Sequence, residues 1–268
     1  MSERVQKVLS QWGIASRRKA EKMILARRIK INGQTASLGD KVDLNVDTLH
    51  VDEKLIELSS RPNLIYLLLN KPTGVMSTCF DPQHRPTVID LLPKKLQENT
   101  GIHPVGRLDF ASSGALILTN DGDLTLRLTH PRYHLPKVYR VELNRSLTKK
   151  DLALWRQGIM LDGKKTLPAK IELIQAHKLG KTIKIILREG RNRQIRRVAE
   201  KLGYQVQKLH RIAIGSINID TLEGDGLTEG KYRHLQPKEI NFLKNSYYKQ
   251  PTNKQPTKVV AQPGGRSK

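Results

Sequence analysis

Cysteine is nearly absent from this chain. Of 268 residues only Cys79 carries a thiol, which excludes an intramolecular disulfide and any zinc site built on cysteines. Aromatic residues are scarce at 4%, so a core has to rest mainly on the aliphatic part of the 37% hydrophobic content. No apolar run approaches the ~18 residues that a membrane-spanning helix requires. The opening "MSERVQKVLSQWG" is mixed and polar, unlike a signal peptide. Negative charge is also short: 25 acidic residues stand against 48 basic ones, for a net charge of +23. Such an excess calls for a polyanion, with nucleic acid the first candidate and an anionic membrane surface the second. The expectation is a soluble, cytoplasmic protein that binds nucleic acid and no membrane. His103, His130, His134 and His210 lack metal-ligand spacing, so no metal is expected. "GDGLTEG" is a loop and not a phosphate cradle, because no Walker lysine follows it.

What is present begins with two short amphipathic segments. Val5, Val8, Leu9 and Trp12 recur at helical spacing, with Ser2 placed to cap the start and Gly13 to close the end. A second helix starts from Ser16 as N-cap and runs through "RRKAEKMILARR". Its apolar residues Ala20, Met23 and Ile24 share one face, and Arg17, Arg18, Lys22, Arg27 and Arg28 are expected on the other. Ile29 and Ile31 then alternate with basic residues up to Asn32-Gly33, a hairpin turn signal, and "TLHVD" reads as a closing strand. This order of helix, basic helix and hairpin resembles the S-four RNA-binding domain over residues 1–58, most specifically in "GIASRRKAEKMILARRIKINGQ". A cationic helix face of this kind can lie against phosphates, positioning RNA without reading its sequence.

Residues 59–62 fall in "SSRPN", a linker by its Ser and Pro content, and a larger domain of mixed strands and helices is expected over 63–244. "LIYLLLNKP" is an apolar strand ended by Pro72, "GALILTNDG" a buried strand with a helix carrying Leu124 and Leu128 behind it, and "KVYRVEL" and "KTIKIILREG" are further strands. The pattern suits an α+β domain better than regular βαβ alternation. Residues 245–268 hold five basic residues and no acidic one, and read as a disordered basic tail.

Three stretches of the larger domain concentrate chemistry. In "HPVGRLDFASSGALILTNDG", Asp109 lies two residues from Arg107, a neighbour that favours an ionised carboxylate over a general acid. In "KVYRV", Lys137 and Tyr139 share one face of a strand. In "REGRNRQIRRVAEKLG", Ile195, Val198, Ala199 and Leu202 form the apolar stripe of a helix ended by Gly203. Counting back four from Ile195 turns Arg191 into the domain, and turns Arg193, Arg196 and Arg197 outward toward RNA.

Together "LLLNKPTGVMST", "GRLDFASSGALILTNDG", "THPRYHLPKVYRV" and "EGRNRQIRRVAEKLGYQVQKLHR" resemble, in order and spacing, the pseudouridine synthase family of the RsuA/RluB type. The resemblance spans about residues 63–241. It implies a catalytic domain on a mixed, mainly antiparallel sheet with flanking helices, preceded by the small α/β S-four-type domain. It also implies a monomer that isomerises a specific uridine of ribosomal RNA, free or in a pre-ribosomal particle, with large-subunit rRNA favoured. Asp109 would be the essential aspartate, Tyr139 the aromatic residue against the base, and Arg191 the cation paired with Asp109. Arg107 would help fill the space left by the extruded uridine, Lys137 belongs to the same motif, and Leu108 and Ile195 would wall the pocket. Uracil must leave through nitrogen 1, rotate and return through carbon 5, a change that needs no cofactor. Asp109 could attack carbon 1′, add to carbon 6 or take a proton from carbon 2′, and the sequence does not choose. The rival readings are a non-catalytic rRNA-binding assembly factor and an S-four-type methyltransferase. The latter would need a glycine-rich loop that is absent.

Overall fold

The structure is a computed structural model that describes residues 2–58, 61–130, 135–174, 182–220 and 226–245. Of the tail expected over 245–268 only Asn245 is described, as the last residue of a helix, and His134 also lies outside the described residues.

The chain opens with β1 (Ser2–Arg4), α1 (Val5–Gln11), α2 (Arg17–Leu25), β2 (Ile29–Ile31), β3 (Gln34–Thr35), β4 (Lys41–Asp43), β5 (Leu49–Val51) and β6 (Lys54–Ile56). The apolar face read from the sequence is real: Val5, Val8, Leu9 and Trp12 of the first helical segment are buried against Ala20, Met23 and Ile24 of α2. Ser16 caps α2, its Oγ accepting from the Lys19 amide at 3.3 Å. Asn32 and Gly33 both take positive φ, the geometry of a two-residue hairpin turn, between β2 and β3. Ser2 is not a helix cap, because it starts a strand that pairs with β4, and Arg4 stands at the cap position without a side-chain bond. The helix of "RRKAEKMILARR" ends at Leu25, so Arg27 (φ 56°) and Arg28 lie on the turn into β2 and off the helical face expected for them.

The larger part continues with β7 (Tyr66–Lys71), α3 (Lys94–Gln97), β8 (His103–Pro104), β9 (Ser113–Thr119), α4 (Gly122–Thr129), β10 (Lys137–Leu143), α5 (Lys149–Gln157), β11 (Met160–Leu161), β12 (Lys164–Lys165), β13 (Lys170–Leu173), β14 (Thr182–Leu187), α6 (Gln194–Lys201), β15 (Val206–Ile214), β16 (Ile217–Asn218), β17 (Tyr232–His234) and α7 (Pro237–Asn245). Among the described residues nine strands form one sheet, with the path β13-β14-β10-β15-β9-β7-β17 and with β8 and β16 joined at its side. Every pairing is antiparallel except β15 with β9, so the fold is α+β with a mixed, mainly antiparallel sheet.

β7 and β9 are buried at every position, the burden of central strands covered on both faces. The parallel seam needs close backbone approach. Gly114 (φ 111°) sits opposite Arg211, and a Cβ there would fall 2.2 Å from the Arg211 carbonyl oxygen. Only glycine tolerates both the dihedral and the contact. Beside it, Ser113 Oγ and His210 Nδ1 bond at 2.8 Å, and Arg211 Nε donates to the Ala115 carbonyl at 2.7 Å. The loop that carries Asp109 enters the sheet at this seam.

Candidate active site

The segment Leu108–Ser112 is a loop whose successive carbonyls are all held. Ser77 Oγ donates to the Leu108 carbonyl at 2.9 Å and accepts from the Leu108 amide at 3.2 Å. The Gly74 amide donates to the Phe110 carbonyl at 2.9 Å, and Arg196 Nη2 donates to that of Ala111 at 2.7 Å. Ser112 N closes a turn onto the Asp109 carbonyl at 3.0 Å. Lys71, at the end of β7 and wholly buried, donates to the Ser112 carbonyl at 2.9 Å, to Pro72 at 2.7 Å and, at 3.4 Å, to Asp109. Burial pushes the Lys71 ammonium down to about 8, opposed by the nearby Glu229 and Asp109 carboxylates. A loop tied at so many backbone atoms gives Asp109 a fixed origin while its carboxylate stays partly open.

That carboxylate forms one wall of a cavity of about 610 Å³, of the size that takes a small ligand. Arg107, Leu108, Lys137, Tyr139, Arg191 and Ile195 line the same cavity, so the structure brings together the seven residues expected there and adds Arg193, which was expected to face outward. Leu108 and Ile195 are buried, and Tyr139 packs against the two cores that meet at the cavity. Lys137 is partly buried, and burial, followed by repulsion from Arg211, pushes its ammonium down to about 8.

The arginines depart from the sequence reading. Arg191 does not pair with Asp109: its Nε bonds Glu189 at 3.1 Å, and its Nη atoms donate to the carbonyls of Lys164 and Lys165 at 2.9 and 2.5 Å. The cation facing Asp109 is Arg193, whose Nη1 lies 4.0 Å from Asp109 Oδ2. The cause is local. α6 starts only at Gln194, and Arg193 precedes it in the left-handed conformation (φ 47°, ψ 33°), so a four-residue helical count does not reach back to Arg191. Arg196 does not reach outward either. It folds onto Ala111, Val206 and Ser112, and burial lowers its pKa. Arg197 pairs with Asp162 across from β11. In the first module Arg28 is clamped by Asp52 at 2.5 and 2.6 Å, whereas Arg17, Arg18, Lys22 and Arg27 are exposed and make no ion pair among the described residues.

Sequence reasoning missed Lys71, Ser77, Glu189 and Arg211. Lys71 and Arg211 had a signal, a lone cation inside an apolar strand pattern. Glu189 organises the loop before α6, accepting from the Leu167 amide, Gln194 Nε2 and Arg191 Nε. Among the described residues no group of three or more His, Cys, Asp or Glu side chains could hold a metal, and no helix is long and apolar enough to cross a membrane.

A family model described as RNA pseudouridylate synthase matches residues 65–201, and one described as S4 domain matches residues 3–47. An uncharacterized RNA pseudouridine synthase of Aquifex aeolicus is 39% identical over 91% of this chain and 94% of its own. Ribosomal large subunit pseudouridine synthase B of Bacillus subtilis is 39% identical over 90% of this chain and 96% of its own. A solved structure of a pseudouridylate synthase superposes with a TM-score of 0.63 at 31% identity, covering 90% of this chain and 99% of that one. The chain belongs to the RNA pseudouridylate synthase family, with an S4 domain ahead of the catalytic domain.

Proposed function

We propose that this enzyme converts one uridine of large-subunit ribosomal RNA to pseudouridine, with Asp109 as the carboxylate that acts on the nucleotide. The observation that carries the reading is Asp109 itself: held by a tethered loop, faced by Arg193 and open to a cavity walled by Tyr139, Leu108 and Ile195. The choice of large-subunit RNA follows the name of the Bacillus subtilis relative, which this chain matches over nearly its full length. A base in a duplex cannot reach such a cavity, so the uridine is extruded at a cost of roughly a few kcal/mol. Stacking on an aromatic face such as that of Tyr139 returns about 1–3 kcal/mol. Arg193 faces the Asp109 carboxylate at 4.0 Å, and Arg107, exposed beside the cavity, would fill the gap left in the RNA. The isomerisation is redox-neutral and transfers no outside group, so the enzyme works without a cofactor. A monomer follows from the family resemblance.

The test is pseudouridine mapping of rRNA from the native strain, a strain lacking the gene and a strain carrying Asp109→Asn. One large-subunit site lost in both altered strains is the expected result. Unchanged maps in all three would overturn the reading and favour an RNA-binding assembly factor.

A further inference from the structure

We propose that Arg211 and Lys137 hold the carbonyl edge of the extruded uracil and stabilise its negative charge while it is detached from the ribose. This rests on the reading that the cavity receives a uridine.

Arg211 is 5% exposed and lines the cavity. A guanidinium has five N–H donors. Among the described residues only the Ala115 carbonyl meets this one, and Nη2 is buried with no acceptor. Lys137 lines the same cavity, and among the described residues its ammonium has neither an acceptor nor an acidic partner. Two cations that repel each other in a half-apolar cavity are costly unless something negative comes to them. Neighbouring Arg196 turns both Nη atoms onto the Ala111 and Val206 carbonyls and leaves only its Nε, which lies back along the side chain, buried without a partner.

The backbone aims them deliberately. β10 and β15 pair with a register shift between Val138 and Tyr139, where Ile212 is the extra residue of a bulge. Residues directly opposite in an antiparallel pair point to one face. Arg211 therefore stands beside Tyr139, and the bulge lets Ile214, opposite Lys137, face the cavity as well.

The ligand atoms follow from how an extruded nucleotide enters. Its two phosphates remain tied to the RNA at the mouth and its base leads inward, so a side chain buried as deeply as Arg211 meets the base. The acceptors on that edge are O2 and O4. When the N1–C1′ bond breaks, its electron pair stays on the base and spreads onto those oxygens, so donors placed there bind the charged state more strongly than the ground state. The base then turns about its N3–C6 axis, which exchanges N1 for C5 and O2 for O4. One pair of cations thus serves both orientations. C1′ bonds to C5, C5 releases a proton, N1 takes one up, and no oxidant, reductant or further reactant is consumed.

The experiment uses the full chain and a synthetic hairpin RNA containing the uridine identified by mapping, with uridine, 2-thiouridine or 4-thiouridine at that position. If wild type converts no uridine, the functional reading has failed before this one is reached. Single-turnover rates are measured for wild type, Arg211→Gln and Lys137→Met, with RNA affinity measured separately. Sulfur is a poor acceptor, so the sulfur and side-chain changes should overlap. The expected combined effect falls short of the product of the single effects by about fivefold or more, at unchanged RNA affinity. Effects that multiply to within about twofold in both variants overturn the proposal, since a purely structural role for Arg211 at the seam predicts independence. Should Arg211→Gln fail to fold, Lys137→Met decides alone, because Lys137 makes no bond across the seam.

Discussion

α2 and α6 are both short, strongly basic helices, yet they use their charge in opposite ways. On α2, Arg17, Arg18 and Lys22 project into solvent with no ion pair among the described residues, while the apolar side packs on α1. Around α6 the arginines turn to the protein: Arg191 to Glu189 and two carbonyls, Arg196 to the loop that carries Asp109, Arg197 to Asp162 and Arg193 toward Asp109. The difference lies in the neighbours. α2 keeps the basic side chains of its outer face exposed, whereas α6 is ringed by loops that offer carbonyl oxygens and carboxylates. Charge left in solvent is available to a phosphate backbone, and charge drawn inward shapes a site. The first kind should govern affinity and its salt dependence, the second the rate of the bound complex.

The largest expected effect tests the inward class. Arg193→Ala removes the cation facing Asp109 and should lower kcat by about 10²–10³-fold with little change in RNA affinity. Arg191→Ala, measured beside it, should lose less, because Arg191 acts through the Glu189 loop. A larger loss in Arg191→Ala would return it to the role first expected of it and break the contrast drawn here. Next comes Lys71→Met, which leaves the Pro72 and Ser112 carbonyls without their buried donor. Single-turnover assays should show about a 10–100-fold slower rate from displacement of Asp109, with stability lower by about 1–3 kcal/mol in denaturant unfolding. Loss of RNA affinity without loss of rate would show that Lys71 does not position the loop.

The outward class was legible because it depends on local pattern. Helical spacing placed Val5, Val8 and Leu9 inside and Arg17 and Arg18 outside, and Asn32-Gly33 marked its own turn. In the catalytic domain the same logic found β10 over Lys137–Leu143 and the buried β9, whose alternation or continuous apolarity announces a strand. It failed where one residue breaks the period. The left-handed Arg193 shifts the start of α6, and the bulge at Ile212 obscures the alternation of β15, a nine-residue strand that went unread. The ties on the Leu108–Ser112 carbonyls were beyond reach for another reason. Those made by Lys71, Ser77 and Arg196 join backbone atoms to side chains from 31 to 85 residues away, and no short-range pattern encodes such a meeting.

For the outward class the effects are smaller and differ in kind. Arg17→Ala combined with Arg18→Ala should weaken RNA binding several-fold and reduce the slope of log affinity against log salt by about 1.5, near the value for two lost phosphate contacts. The rate at saturating RNA should not change. A fall in that rate with an unaltered salt slope would mean that α2 helps to build the active complex, and the separation between affinity and rate would not hold.

The smallest effect is expected at Arg28, where the two classes meet on one surface. Arg28 is about half exposed, as a phosphate contact would be, but Asp52 grips it through two parallel bonds, Nε to Oδ1 at 2.6 Å and Nη2 to Oδ2 at 2.5 Å. Each partner shifts the other: the guanidinium lowers the Asp52 pKa, and the carboxylate raises that of Arg28. To a phosphate more than a few ångströms away the pair is nearly neutral, so Arg28→Ala should leave RNA affinity almost unchanged, while Arg27→Ala, on the next residue, should weaken it. Asp52→Asn sharpens the comparison. It removes the carboxylate's charge, and asparagine tolerates the positive φ of 51° at that position. With Arg28 released, RNA should bind more tightly and the salt slope should rise by about 0.7–0.9. Filter-binding titrations at several salt concentrations measure all three variants, and an Asp52→Asn protein with unchanged affinity and slope would show that RNA never reaches Arg28.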